Sequence, residues 1–174
     1  MVFTRLGLKD AYLIDLEPIG DQRGFFARAW CRKEFSKMGL HTDWVQCNLS
    51  FNHQKGTLRG LHYQTPPSRE IKLVRCIRGT AYDVIVDLRN DSPTYNQWEA
   101  VELSADNRRA LYIPLGFAHG FQTLEDHTEM LYHMSEFYNP ACAKTIRWDH
   151  PRFGIRWPEV ENRILSEKDR NPDG

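Results

Sequence analysis

The 174-residue chain is short of several features, and each shortage excludes something. It has no surplus of either charge, since 23 Lys and Arg balance 23 Asp and Glu. That excludes a protein that works by broad phosphate neutralisation along a nucleic acid, and it excludes a polybasic membrane binder. A small anionic ligand needs only two or three focused cations and stays open. No apolar run approaches the ~20 residues of a membrane-spanning helix. Met1 to Asp10 holds no apolar signal core, so the cytoplasm is the expected compartment. Cysteine is scarce: Cys31, Cys47, Cys76 and Cys142 stand far apart, without the Cys-x-x-Cys pair that zinc or redox chemistry favours. They read as small buried or half-buried thiols. No repeat, low-complexity tract or linker interrupts the chain before its last residues, 168–174. The expectation is one domain over residues 1–174, with 168–174 as a C-terminal tail.

Helix is scarce too. Only Cys31 to Met38, closed by Gly39 as a C-cap, has a helical pattern with a stop signal. Short β-patterned runs separated by turn residues fill the rest. Tyr82, Val84, Val86 and Leu88 alternate with Asp83, Ile85 and Asp87, the period of a strand with one deeply buried face. The runs Ile71 to Arg78 and Thr80 to Leu88 meet at Gly79 in a hairpin or tight bend. Further strands are expected over Ala11 to Leu16, Trp44 to Phe51, Leu58 to Gln64 and Gln97 to Leu103. Arg109 to Ile113, Phe117 to Leu124 and Glu129 to Ser135 complete the set. Many short strands with turns every 8–12 residues indicate an all-β sandwich or barrel.

Two histidines ask for more than packing. His62 lies in Arg59-Gly60-Leu61-His62-Tyr63-Gln64, where alternation puts Gly60, His62 and Gln64 on one face. Arg59 falls on the opposite face with Leu61 unless Gly60 bends the strand. His119 follows a Pro/Gly turn in Pro114-Leu115-Gly116-Phe117-Ala118-His119. Gly56 to Gly79, and then Pro114 to His119, resemble the two motifs of the cupin barrel, which implies a cupin or jelly-roll fold with a few short helices. Metal-binding cupins present His-x-His and a Glu from the first motif and one His from the second. Here Gln64 stands where the second histidine belongs, and Glu70 falls late, after Pro66 and Pro67. No metal is expected.

The match narrows within the cupins. Arg23-Gly24-Phe25-Phe26, Leu58 to Gln64 and Lys72-Leu73-Val74-Arg75 occur in order. Asp83 to Arg89 with Ser92-Pro93-Thr94, then Phe117-Ala118-His119-Gly120-Phe121 and Ile164 to Asp169, complete the series. Together they resemble the dTDP-4-dehydrorhamnose 3,5-epimerase family and its deoxysugar relatives over Leu16 to Asp169. The resemblance implies epimerisation of a nucleotide-linked 4-keto-6-deoxyhexose at carbon 3, carbon 5 or both. A 4-keto group acidifies the protons on those carbons, so the reaction needs a base on one face, an acid on the other and something to hold the enolate oxygen.

By the same resemblance His62 is the base, oriented by Asp169, Tyr132 donates the proton from the opposite face, and Lys72 faces the enolate. A free imidazole titrates near pH 6.5 and suits the base; a phenol, near 10, is protonated at rest. Arg23, Arg59 and His119 match positions that contact the diphosphate or sugar. Gln46, Asn48 and Lys168 match further nucleotide-sugar contacts. Phe26 lies in the base-binding segment, and Tyr138 matches the aromatic that stacks on the nucleobase. The family's N-terminal strand and Arg23 region reach into the neighbouring subunit, which implies a homodimer with an exchanged strand. No cofactor is implied, and neither nucleic acid nor membrane is a partner.

Three departures surround the implied nucleotide pocket. Arg28 stands where the family carries Glu, Ala143 where it carries an acid, and Gln46-Cys47-Asn48-Leu49 replaces Gln-Asp-Asn-His. Thymine offers an N–H that favours a carboxylate acceptor, whereas cytosine offers N3 and O2, to which an arginine can donate. The departures therefore raise CDP as an alternative to dTDP, with Arg28 as a base contact. Two other readings compete with the epimerase. A metal-dependent cupin enzyme, an oxygenase or sugar isomerase, is opposed by Gln64. A non-catalytic sugar-nucleotide-binding cupin has no need of the set His62, Tyr132, Lys72 and Asp169.

Overall fold

A computed structural model describes residues 1–172. Its elements run β1 (Val2–Arg5), β2 (Tyr12–Asp15), β3 (Ile19–Asp21), β4 (Gly24–Phe26), α1 (Arg32–Lys37), β5 (Gln46–Asn52) and β6 (Leu58–Gln64). They continue as β7 (Lys72–Arg78), β8 (Thr80–Asp87), β9 (Trp98–Ser104), β10 (Ala110–Ile113), β11 (Phe117–Thr123), β12 (Thr128–Met134), β13 (Ala143–Thr145) and α2 (Glu167–Arg170). One sheet has the order β1-β2-β10-β7-β12-β5 and the other β13-β6-β11-β8-β9, while β3 and β4 form a separate hairpin. The all-β jelly roll with short helices is the architecture found. Of the two connections open at Gly79, the bend is the one used. The residue sits at φ +70° and turns the chain from β7 in one sheet into β8 in the other.

The barrel interior is apolar at one end, where Val74, Ile85, Leu111, Phe121 and Met130 interlock between the sheets. Each sheet is also covered outside. Phe35 of α1 is fully buried against the rings of Phe3 and Tyr112 on the six-stranded sheet and of Trp30 in the loop before the helix. Ile146, Phe153 and Trp157 pack over Leu61, Val84 and Val86 on the five-stranded sheet. This second cover corrects the reading of β8. Val84, Val86 and the intervening Asp83, Ile85 and Asp87 are all buried, so both faces of the strand are covered. The buried carboxylates are tolerated because each is hydrogen-bonded: Asp83 to His119, and Asp87 to Arg89, Ser92 and Thr94.

Helix α1 ends at Lys37 with Met38 as its C-cap, and Gly39 follows at φ +69°. Strands β3, β4 and β13 were not anticipated, and β1 only as the family's N-terminal strand; none of them has a buried residue to mark a core-facing side, unlike the equally short β2 and β10. Cys76 and Cys142 are buried and Cys31 is half-buried, but Cys47 is exposed because β5 is a sheet edge. After covering the small sheet, the chain returns to the barrel. Ile164 bridges Thr57, and the Leu58 N–H donates to the Ile164 carbonyl at 2.8 Å. This return delivers α2 to β6. The stretch expected as a tail from 168 is therefore ordered helix through Arg170, with Asp169 buried; residues 173–174 lie outside the described residues.

Candidate active site

A cavity of about 390 Å³ opens between the sheets beside α2. Strand β6 supplies Arg59, His62 and Gln64, and the facing sheet supplies Gln46, Asn48, Ser50, Lys72 and Tyr132. Simple alternation cannot put Arg59 and His62 on one wall, because they are three residues apart. The β6–β11 register explains it: His62 pairs with His119 and Arg59 with Phe121, so three residues on β6 match two on β11. Gly60 at φ +114° is the extra residue of this bulge. A Cβ there would stand 2.7 Å from both Gly120 Cα and the His119 carbonyl, so only glycine permits the approach. The bend at Gly60 that the sequence left open is present.

His62 Nε2 lies 2.5 Å from Asp169 Oδ1. Ser166 caps α2, accepting from the Asp169 N–H at 3.1 Å and donating to Asp169 Oδ2 at 2.9 Å. Burial alone would push the Asp169 carboxyl up. Hydrogen bonds from His62, Ser166 and the Gly60 amide, together with the His62 charge, hold it below the ordinary carboxylate range. Across the cavity the Tyr132 hydroxyl is 3.0 Å from Ser50 Oγ. Burial raises its pKa well above that of a free phenol, so it holds its proton throughout the physiological range. Lys72 is almost wholly buried. Its Nζ sits 3.0 Å from Glu70 Oε1 and 3.4 Å from the His62 carbonyl.

Other expected contacts gather at the mouth. Gln46 donates to Asn48 Oδ1 at 3.0 Å and accepts from the Tyr138 N–H at 3.3 Å, and Tyr138 and Lys168 line the opening. Arg59 is braced by Asn52 Oδ1 at 2.7 Å. Ala143 and Leu49 also line the cavity.

Four expected residues do not reach it in this chain. His119 is buried behind Tyr132, ring centroids 6.3 Å apart, and its Nε2 is 2.9 Å from Asp83. Arg23 projects from the β3–β4 hairpin and pairs with Asp21, and Phe26 on that hairpin is 73% exposed. Arg28 pairs with Glu34 at 3.0 Å. Ser50, Ser166 and Asp83 were missed by sequence reasoning. The Ser166-Glu167-Lys168-Asp169 spacing is a capping signal that could have found the first turn of α2. Gln64 and Glu70 were weighed only as metal ligands. Gln64 instead donates to Glu70 Oε2 at 2.8 Å, and Glu70 serves Lys72, a donor set that does not suit a metal ion.

A histidine–carboxylate pair on one wall and a protonated tyrosine on the other, inside a jelly-roll barrel, define the class: a cupin-fold epimerase, an isomerase. Comparison with known proteins narrows it. Residues 5–173 match the family model described as dTDP-4-dehydrorhamnose 3,5-epimerase. The chain is 43% identical over 173 residues to the enzyme of that name from Sinorhizobium fredii, covering 97% of this chain and 87% of the relative. The Elizabethkingia anophelis enzyme superposes with a TM-score of 0.95 at 38% identity, over 98% and 94% of the two chains. The Bacillus anthracis enzyme, crystallised with TDP and PPi, superposes at 0.93 and 43% identity over 97% and 96%. The chain belongs to the dTDP-4-dehydrorhamnose 3,5-epimerase family. Among the described residues no helix is long and apolar enough to cross a membrane.

Proposed function

We propose that this enzyme epimerises a dTDP-linked 4-keto-6-deoxyhexose at carbons 3 and 5 by proton abstraction and return through an enolate. The observation that carries the reading is His62 paired to Asp169 on one wall of a cavity whose other wall presents the Tyr132 hydroxyl. His62 takes the proton α to the ketone, and the electron pair of the broken C–H bond moves to the keto oxygen, giving an enolate. The Asp169 carboxylate stabilises the imidazolium that forms. Lys72 carries the cation that faces the enolate oxygen, where preorganised charge contributes most. Tyr132 then protonates the carbon from the other face, inverting it. General acid–base catalysis of this kind typically contributes about 10²- to 10⁴-fold.

Arg59 and Lys168 hold the diphosphate, Gln46 and Asn48 contact the nucleotide sugar, and Tyr138 stacks on the base. Arg23 and Phe26 point away from their own cavity, which supports the reading that they complete a partner's site in a homodimer. Mixing an Arg23→Ala variant with a His62→Ala variant tests this. A dimer with shared sites regains about a quarter of the activity or less; independent subunits regain none. The four cysteines are free thiols, which suits the cytoplasm.

Ala143 on the cavity wall keeps CDP in view as a second nucleotide, although Arg28 is engaged by Glu34. Proton NMR in deuterated water with dTDP- and CDP-linked 4-keto-6-deoxyglucose reports the exchanged carbons and the preferred nucleotide together. Absence of exchange at both carbons with either substrate refutes the epimerase reading.

A further inference from the structure

We propose that Glu70 is a positioning and specificity-determining residue of this site: it aims the Lys72 ammonium at the ketone end of the sugar and denies that cation to the diphosphate. The inference rests on the epimerase reading above.

The cavity accepts an anionic ligand, yet a carboxylate stands within it. The Glu70 side chain is only 8% exposed and that of Lys72 9%, with Oε1 and Nζ 3.0 Å apart. A charge so placed repels a diphosphate, and burying it carries a desolvation cost that only a well-made pair offsets. Glu70 is doubly held, since its other oxygen accepts from Gln64 Nε2 at 2.8 Å. Gln64 in turn accepts from the Asn139 N–H at 2.7 Å, which ties the carboxylate to the segment carrying Tyr138. Glu70 is therefore a fixed post, while lysine is a flexible four-carbon stem with a point charge at its tip.

Two consequences follow from Coulomb's law and donor counting. Of the three ammonium N–H groups, one meets Glu70 and one points to the His62 carbonyl at 3.4 Å, leaving one for a ligand. That single free donor has a fixed direction on the wall beside His62. The pair also cancels the Lys72 charge as seen from a distance, so among the described residues the cations lining the cavity without an ion-pair partner are Arg59, Lys144 and Lys168. A diphosphate is drawn to those three, and the sugar is left at the His62–Tyr132 end in one orientation. A lysine without Glu70 would offer the diphosphate a competing landing point.

The test compares the wild type with Glu70→Gln and Glu70→Asp. Deuterium incorporation into dTDP-4-keto-6-deoxyglucose, inhibition by inorganic pyrophosphate and the thermal midpoint are measured for each. Glu70→Gln is expected to slow exchange roughly 10- to 100-fold. It is also expected to tighten pyrophosphate inhibition several-fold, a gain that a merely structural role does not produce. Glu70→Asp restores the charge and recovers part of both effects, which keeps the test sound if the glutamine variant folds poorly. Wild-type exchange rates in Glu70→Gln overturn the proposal. Slower exchange with unchanged pyrophosphate inhibition marks a structural role and overturns it as well. If the wild type itself exchanges neither proton, the epimerase reading has failed and this inference falls with it.

Discussion

His62 and His119 are cross-strand neighbours on β6 and β11, and each imidazole meets an aspartate, but the two pairs occupy different settings. His119 and Asp83 are 5% and 0% exposed inside the barrel, and both residues come from adjacent strands of one sheet. His62 keeps 41% of its side chain exposed toward the cavity, and Asp169 reaches it from a helix 107 residues further along the chain. A ring open to a ligand on one side and braced by a carboxylate on the other can exchange protons with a substrate. A ring closed in on both sides supports the wall.

Accordingly, His62→Ala abolishes solvent deuterium incorporation at both carbons while dTDP binding, followed by calorimetry, survives. Asp169→Asn keeps the shape but removes the charge that stabilises the imidazolium, and lowers the exchange rate by about 10²-fold or more. Retained exchange in His62→Ala refutes the assignment of the base.

Tyr132→Phe separates the two half-reactions. Abstraction needs no phenol, so initial exchange survives better than formation of the inverted product. Because burial holds the phenol protonated well above pH 10, an alkaline fall in wild-type activity below that pH is not set by Tyr132. The phenylalanine variant therefore keeps the same alkaline limb, measurable as the exchange rate from pH 6 to 10.

Ser166→Ala removes the cap that starts α2 and one donor to Asp169. An N-cap loss typically costs about 1 kcal/mol. Here it falls on four residues whose only role in the cavity is to present Asp169 and Lys168. The exchange rate drops while the thermal midpoint moves by only a few degrees, and Ser166→Thr restores it.

Asp87 governs acid stability. Burial alone pushes its carboxyl up, but hydrogen bonds from Arg89, Ser92 and Thr94 hold it at about 2. A free aspartate titrates near 3.9, so the folded value is the lower one. Its contribution is present above pH ~4 and is lost as pH falls from there toward 2, and it amounts to about 2 kcal/mol. Asp87→Asn therefore lowers the midpoint by roughly 4–8 °C at pH 7. Denaturant titrations at pH 7 and pH 2.5 should show the gap to wild type narrowing in acid.

Much of this could be read from the chain itself. Seven-residue strands such as β6 and β12 carry their periodicity on the page, and so does the glycine that ends α1. The motif around His62 with the distant Asp169 pointed to the chemistry before any contact was known. The short strands β3, β4 and β13, which have no buried residue, were not legible, because their hydrogen bonds are granted by neighbours rather than by an apolar pattern.

By itself the sequence determined the class of fold, the family and the residue types on offer: a base, an acid, a lysine and a few arginines in a neutral chain. Tertiary structure alone decided their company. The bulge at Gly60 turned Arg59 into the cavity, the return of the chain at Ile164 set Asp169 against His62, and Gln64 brought Glu70 to Lys72. Alternation reports which side of a strand a residue takes, but register, bulges and chain return are settled by close approach and polar satisfaction between segments far apart in sequence.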